Sequence, residues 1–122
     1  MSMTASVIAL AIVVIVYSIW KRSSQISTKR AVAYLKDGAL VIDVRSSPEF
    51  SAGHLPNAIN LPLEEIEVAL PRCVKDKNQV LLLHCQSGMR SGMAKKKLNE
   101  LGYTNAFNLG SYGRAAKIVN GK

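Results

Sequence analysis

The sequence predicts an α/β domain, a parallel sheet with helices on both faces, preceded by one transmembrane helix. Three observations carry this prediction. Short aliphatic runs at 39–44, 58–61, 80–83 and 106–109 alternate with stretches of helical periodicity. The runs are largely apolar instead of alternating with polar residues, as strands covered on both faces must be. Ahead of them, residues 2–20 carry no charged side chain at all.

That uncharged block is read as an uncleaved anchor. About 18 helical residues rise about 27 Å, enough for the hydrocarbon core of a bilayer. Residues 7–16 are almost wholly aliphatic, Tyr17 and Trp20 stand where an aromatic belt belongs, and Lys21 and Arg22 follow at once. A signal peptide would need a positive start, which Met1-Ser2-Met3-Thr4 lacks. It would also need a small-residue cleavage site, which Ser18-Ile19-Trp20-Lys21 does not offer. The basic flank lies C-terminal to the block, so the positive-inside rule predicts a single-pass membrane protein with its domain in the cytoplasm. The expected division is anchor with basic flank 1–22, polar linker 23–27, and domain 28–122.

Within the domain, Thr28 is expected to cap a helix through Lys36, with Ala31, Val32 and Leu35 inward and Gly38 stopping it. The strand 39–44 follows, apolar up to Asp43. Ser47-Pro48-Glu49 reads as a cap, a first-turn proline and a first-turn acid, giving a short helix that ends near Gly53. A second strand spans 58–61. A helix over 63–70 buries Ile66 and Leu70 and is expected to break at Pro71. The third strand, 80–83, runs into Cys85. From about Ser91 a helix carries Ala94, Leu98 and Leu101 on one face, turns Lys95, Lys96 and Lys97 away, and ends at Gly102. A strand over 106–109 and a helix over 112–119 close the chain.

Open α/β sheets bind ligands beyond the carboxyl ends of their strands, where Cys85 falls. A cysteine between a strand end and a helix start meets converging loop N–H groups and the positive end of the helix dipole. Both favour thiolate, the nucleophilic form. Gly88 lets the loop curl and Arg90 adds a fixed cation. The backbone from Gln86 through Ser87, Gly88, Met89 and Arg90 to Ser91 is expected to ring an anionic sulfur with N–H groups. Arg90 either attracts an anionic donor or braces the loop through its carbonyls. Gln86 and Met89 read as rim residues, and Ser87 and Ser91 as partners for loop N–H and carbonyl groups. His84 precedes the nucleophile but should point to the opposite side of the strand.

The segment from Leu81 to Gly92, with Asp43-Val44-Arg45, Glu49-Phe50 and the run from Gly53 to Asn60 upstream, resembles the single-domain rhodanese (sulfurtransferase) family. The resemblance covers roughly residues 26–119. It implies a rhodanese-like α/β sheet and transfer of sulfane sulfur through a Cys85 persulfide. The implied partners are a small anionic donor (thiosulfate, a persulfide or a polysulfide) and a thiol, cyanide or protein cysteine as acceptor. No cofactor and no metal are implied. Asp43, Arg45 and Glu49 are expected to hold neighbouring loops through an ion pair and backbone bonds. The Gly53-His54 pair looks structural in this family. Cysteine phosphatases, some of the same fold, resemble one another in placing five residues between nucleophile and arginine. Here Gln86, Ser87, Gly88 and Met89 make four, a ring sized for one sulfur atom. A phosphatase or arsenate reductase is therefore the weaker reading, and a non-catalytic interaction module anchored at the membrane is the alternative from another class. The stretch from Leu109 to Arg114 departs from the family pattern of paired glycines before a tryptophan-bearing helix.

Charge and cysteine usage narrow the field further. Sixteen Lys plus Arg against 8 Asp plus Glu leave a net charge of +8. The basic residues gather only after the apolar block and at Lys95 to Lys97, with no interleaved aromatics. That pattern argues for an anionic substrate or lipid surface over nucleic acid. Cys73 and Cys85 make no disulfide framework, and with His54 and His84 they lack zinc-site spacing. Cys73, after Pro71, is at most a resolving thiol.

Overall fold

A computed structural model describes residues 3–121. Four strands form one parallel sheet in the order β2-β1-β3-β4, with β1 Leu40–Asp43, β2 Ile59–Asn60, β3 Leu81–His84 and β4 Ala106–Gly110. The central strand β3 is buried throughout, which explains why its sequence is aliphatic without alternation.

The helices cover both faces. On one, α4 (Ile66–Cys73) and α5 (Met89–Glu100) bring Ile66, Leu70, Ala94 and Leu98 against Ile42, Leu81 and Leu83. On the other, α2 (Thr28–Lys36) and α6 (Tyr112–Asn120) bring Ala31, Leu35, Ala115 and Ile118 against Val41, Leu82 and Leu109. The short α3 (Ser47–Ala52) lies in the β1–β2 connection. Successive residues of β1 and β3 thus serve opposite cores, as the two-residue period of a strand requires.

Local chemistry moves several boundaries from their expected places. The cap of α2 is Ser27, whose hydroxyl accepts the Arg30 N–H at 3.3 Å, and Thr28 is already helical. Likewise Ser46, one residue before the expected cap, starts α3 in a reciprocal capping box with Glu49. Pro71 does not end α4: a 3-10 turn at Leu63–Glu65 leads into a helix that runs through Pro71 to Cys73. The proline removes a single hydrogen bond, and the Val74 N–H still reaches Leu70 O at 2.8 Å. The helix after the Cys85 loop starts at Met89, two residues earlier than expected, with Gly88 in the left-handed region at φ 97°.

Ahead of the domain, α1 (Met3–Ser24) is a 22-residue helix whose Thr4–Lys21 window has a mean hydropathy of 2.0, with its aliphatic side chains exposed. It is long and apolar enough to cross a membrane. Residues 1, 2 and 122, which belong to the expected anchor and domain, lie outside the described range. Gln25 and Ile26 do not hang free after α1. Gln25 bridges to Asn108 in parallel, Ile26 N donates to Asn108 O at 2.9 Å, and Arg114 Nη2 donates to Ile26 O at 2.5 Å. They form a short strip along the outer edge of β4.

Candidate active site

Cys85 stands one residue past β3, and the chain turns at once into α5 through Gln86, Ser87 and Gly88. The glycine's positive φ curls the loop back, a conformation L side chains rarely adopt, so that the Gly88 N–H donates to Cys85 Sγ at 3.0 Å. Burial pushes the thiol pKa up. Hydrogen bonds from the Ser91 hydroxyl and from the Ser91, Gly88 and Ser87 N–H groups outweigh it, so the net shift is downward. Cys85 has no exposed surface.

Ser91 is a hinge of this network. Its hydroxyl carries one proton and has three acceptors in reach: Asn108 Oδ1 at 2.7 Å, Gly88 O at 3.1 Å and Cys85 Sγ at 3.6 Å. Asn108, buried on β4, also accepts the Gly110 N–H at 2.9 Å through Oδ1 and donates to Gly88 O at 3.1 Å through Nδ2. One side chain therefore ties the strand to the curl of the loop. Nothing in the sequence singled Asn108 out except a polar residue inside an otherwise apolar strand, which is the signal that could have found it.

Arg90 is partly exposed, and its guanidinium donates to Glu49 and not to the loop carbonyls. Its two terminal nitrogens grip Glu49 as a fork, Nη1 to Oε1 at 2.6 Å and Nη2 to Oε2 at 3.0 Å. The hydrogen bond to Glu49 is the main reason its pKa is raised, with the Cys85 thiolate a lesser contributor. Glu49 is lowered to about 2, first by Arg90 and then by the Ser46 N–H. The guanidinium is thus fixed beside the thiolate with part of its charge already answered by a carboxylate.

Asp43 and Arg45 form a buried pair at the carboxyl end of β1, with Arg45 Nη2 2.8 Å from Asp43 Oδ2. Arg45 also donates to Gly53 O at 2.7 Å, and its guanidinium lies 4.7 Å from the centre of the Tyr112 ring. It joins β1, the turn after α3 and the start of α6. His54 stacks on Phe50 with ring centres 3.8 Å apart, and its Nδ1 lies 3.0 Å from Phe50 O. His84 points away from the thiol, edge-on to Tyr112, with Nε2 3.7 Å from Asp43 Oδ2. Burial lowers its pKa more than Asp43 raises it, so it stays neutral near neutrality. Of the rim residues, Met89 and Gln86 are exposed, whereas Ser87 accepts the Met89 N–H at 3.5 Å. Cys73 is exposed at the end of α4, on the chain that leads to the opposite end of the sheet.

Known proteins are similar to this chain in sequence and fold. The chain is 41% identical over 69 residues to the thiosulfate sulfurtransferase PspE of Escherichia coli, a match covering 57% of the chain and 66% of that protein. It is 37% identical over 82 residues to the human thiosulfate:glutathione sulfurtransferase, covering 57% of the chain and 71% of that protein. The chain thus spans about two thirds of the length of these relatives. Among solved structures, it resembles an E. coli rhodanese with anions at a TM-score of 0.59 and 38% identity, covering 63% of this chain and 91% of that one. A human single-domain sulfurtransferase matches at a TM-score of 0.64 and 29% identity, over 77% and 96% of the two chains. The family model described as rhodanese-like domain matches residues 27–113. With the cysteine, the curled loop and the parallel sheet in these positions, the chain belongs to the rhodanese-like domain family.

Proposed function

We propose that the protein is a membrane-anchored sulfurtransferase that carries sulfane sulfur on Cys85. The observation that carries this reading is the Gly88 N–H aimed at Sγ from 3.0 Å, in a loop that sets only four residues between Cys85 and Arg90. In the first step the Cys85 thiolate attacks the outer sulfur of thiosulfate, a persulfide or a polysulfide. The S–S bond of the donor breaks, sulfite, a thiolate or the shortened polysulfide anion leaves with the electron pair, and Cys85 becomes a persulfide. The extended terminal sulfur keeps a negative charge, which the N–H groups of the loop stabilise as donors stabilise an oxyanion. In the second step a thiolate or cyanide attacks that terminal sulfur and the Cys85 thiolate leaves. No net oxidation occurs, and the two half-reactions make a ping-pong cycle. The names of the relatives support thiosulfate with a thiol acceptor as the pair to try first.

The anchor is the apolar window of α1, with the domain on the cytoplasmic side because Lys21 and Arg22 flank its C-terminal end. Anchor 1–22, connection 23–27 and catalytic domain 28–122 remain the proposed division.

Mass spectrometry of the protein after thiosulfate or polysulfide treatment tests the chemistry. A gain of one sulfur that is absent in Cys85→Ser supports the enzyme. A second reading, an interaction module that keeps its thiol without using it, draws on one observation: Cys85 has no exposed surface. No sulfur adduct on the native chain, with Cys85 still alkylated after unfolding, would establish that reading instead.

A further inference from the structure

The Ser91 hydroxyl has one proton and two open places for it, and the charge on Cys85 decides between them. The orientation of Asn108 is fixed by its neighbours. The Gly110 N–H can only donate, so the side-chain atom 2.9 Å from it is Oδ1. The Gly88 carbonyl can only accept, so the atom 3.1 Å from it is Nδ2. Oδ1 therefore keeps one lone pair free, and the Ser91 oxygen stands 2.7 Å from it. Gly88 O, the third acceptor near the hydroxyl, already takes the Gly92 N–H and the Asn108 amide, each at 3.1 Å, which uses both of its lone pairs. That leaves Asn108 Oδ1 at 2.7 Å and Cys85 Sγ at 3.6 Å. Cys85, Ser91 and Asn108 are each at most 1% exposed, so bulk water substitutes for neither acceptor.

The two acceptors exchange rank during sulfur transfer. A thiolate bears a full charge, and hydrogen bonds to ionised partners are roughly twice as strong as neutral ones. Once Sγ is bonded to a second sulfur it is neutral and accepts as weakly as a thioether. The negative charge has moved one bond outward, to the terminal sulfur. A buried hydroxyl that served only the thiolate would then be left without a good acceptor, which is costly.

We propose that Asn108 is a positioning residue for sulfur transfer, holding the Ser91 hydroxyl proton while Cys85 carries sulfur and giving it up to Sγ when the thiolate returns. The inference rests on the persulfide reading of Cys85 and adds to it a residue of β4 that touches no substrate. In the first half-reaction the donor's S–S bond breaks and its leaving group takes the electron pair. The hydroxyl turns from Sγ to Asn108 as the new Sγ–S bond forms. In the second, the acceptor bonds the terminal sulfur, the Sγ–S electron pair returns to Cys85, and the hydroxyl turns back. The motion is a rotation about the Ser91 Cβ–Oγ bond, and the proton never leaves its oxygen. Both states of the cycle thus keep the hydroxyl satisfied.

The full chain in detergent micelles, on a Cys73→Ser background, tests this in two ways. Asn108→Leu removes the nearer competitor and leaves Gly88 O, at 3.1 Å. The midpoint of Cys85 alkylation is expected to fall by about half a pH unit, roughly a threefold gain of thiolate over thiol. In the Ser91→Ala chain the same change is expected to leave the midpoint in place. Equal shifts with and without the hydroxyl would overturn the proposal, since Asn108 would then act through the loop backbone. The second measurement needs no substitution at 108. The Asn108 side-chain amide, followed by heteronuclear NMR, is expected to shift when thiosulfate loads Cys85, and to shift far less in Ser91→Ala. A resonance that responds alike in both chains, in samples whose mass shows the added sulfur, would overturn the switch alone. Samples that gain no sulfur would overturn the persulfide reading, and this inference with it.

Discussion

At Cys85 burial and hydrogen bonding pull in opposite directions. Desolvation favours the thiol, while the Ser91 hydroxyl and the N–H groups of Ser91, Gly88 and Ser87 favour the thiolate and prevail. Because the pKa is lowered, the nucleophile persists to lower pH than in an ordinary cysteine. The rate of Cys85 alkylation by iodoacetamide, in a Cys73→Ser background, is therefore expected to titrate with a midpoint below the usual thiol value of about 8.5. Ser91→Ala should move that midpoint upward. A midpoint unchanged by Ser91→Ala would mean that the hydroxyl proton stays on Asn108 Oδ1. Asn108 makes a separate demand. Asn108→Leu strands the Gly110 N–H in a buried setting, while the Ser91 hydroxyl and the Gly88 carbonyl keep each other. Such a loss costs about 1–3 kcal/mol. Urea denaturation is expected to show a loss of about 1–3 kcal/mol, and sulfur loading should fall with it.

The contact of α3 with α5 is carried by one fork of charge. Glu49 caps α3 through Ser46 and holds Arg90 in the first turn of α5, so two short elements are registered by a single carboxylate. The Glu49 side chain is 35% exposed, so solvent and salt screen the pair and its worth lies in geometry more than in stability. Glu49→Gln removes an anion near the thiolate and leaves the Arg90 charge unanswered. The expected result is a further downward shift of the Cys85 alkylation midpoint, with a melting temperature close to that of the native chain. Acid does the same thing reversibly. The Glu49 pKa is depressed from 4.5 to about 2, so the clamp is complete above its ordinary value and is lost as pH falls toward 2. Both partners were visible in the sequence, Glu49 as a first-turn acid and Arg90 as a loop cation. Their pairing was not, because 41 residues separate them and only the packing of α3 beside α5 joins them.

The architecture as a whole was legible because its central strands are buried on both faces and its helices stop at Gly38 and Gly102. Parallel pairing and helices on both faces follow from that pattern, whereas the order β2-β1-β3-β4 came only with the structure. The place of Cys85 just past a strand and its four-residue spacing from Arg90 were legible for the same reason, being local. Contacts that close over distance were not. Asn108 reads as an ordinary strand residue until β4 is laid beside β3, and Pro71 reads as a stop until the helix around it proves able to spare one bond.

The strip at Gln25 and Ile26 has a consequence for how the protein behaves away from its membrane segment. A shortened form beginning at Thr28 would strip the last neighbour from β4 and leave a bare row of backbone groups along it. Such an open border recruits the same border of another molecule. Sedimentation equilibrium is expected to find that form self-associating, while one beginning at Gln25 stays monomeric at equal concentration. Three residues that look like packaging between two units are, for solubility, the selvedge of the sheet.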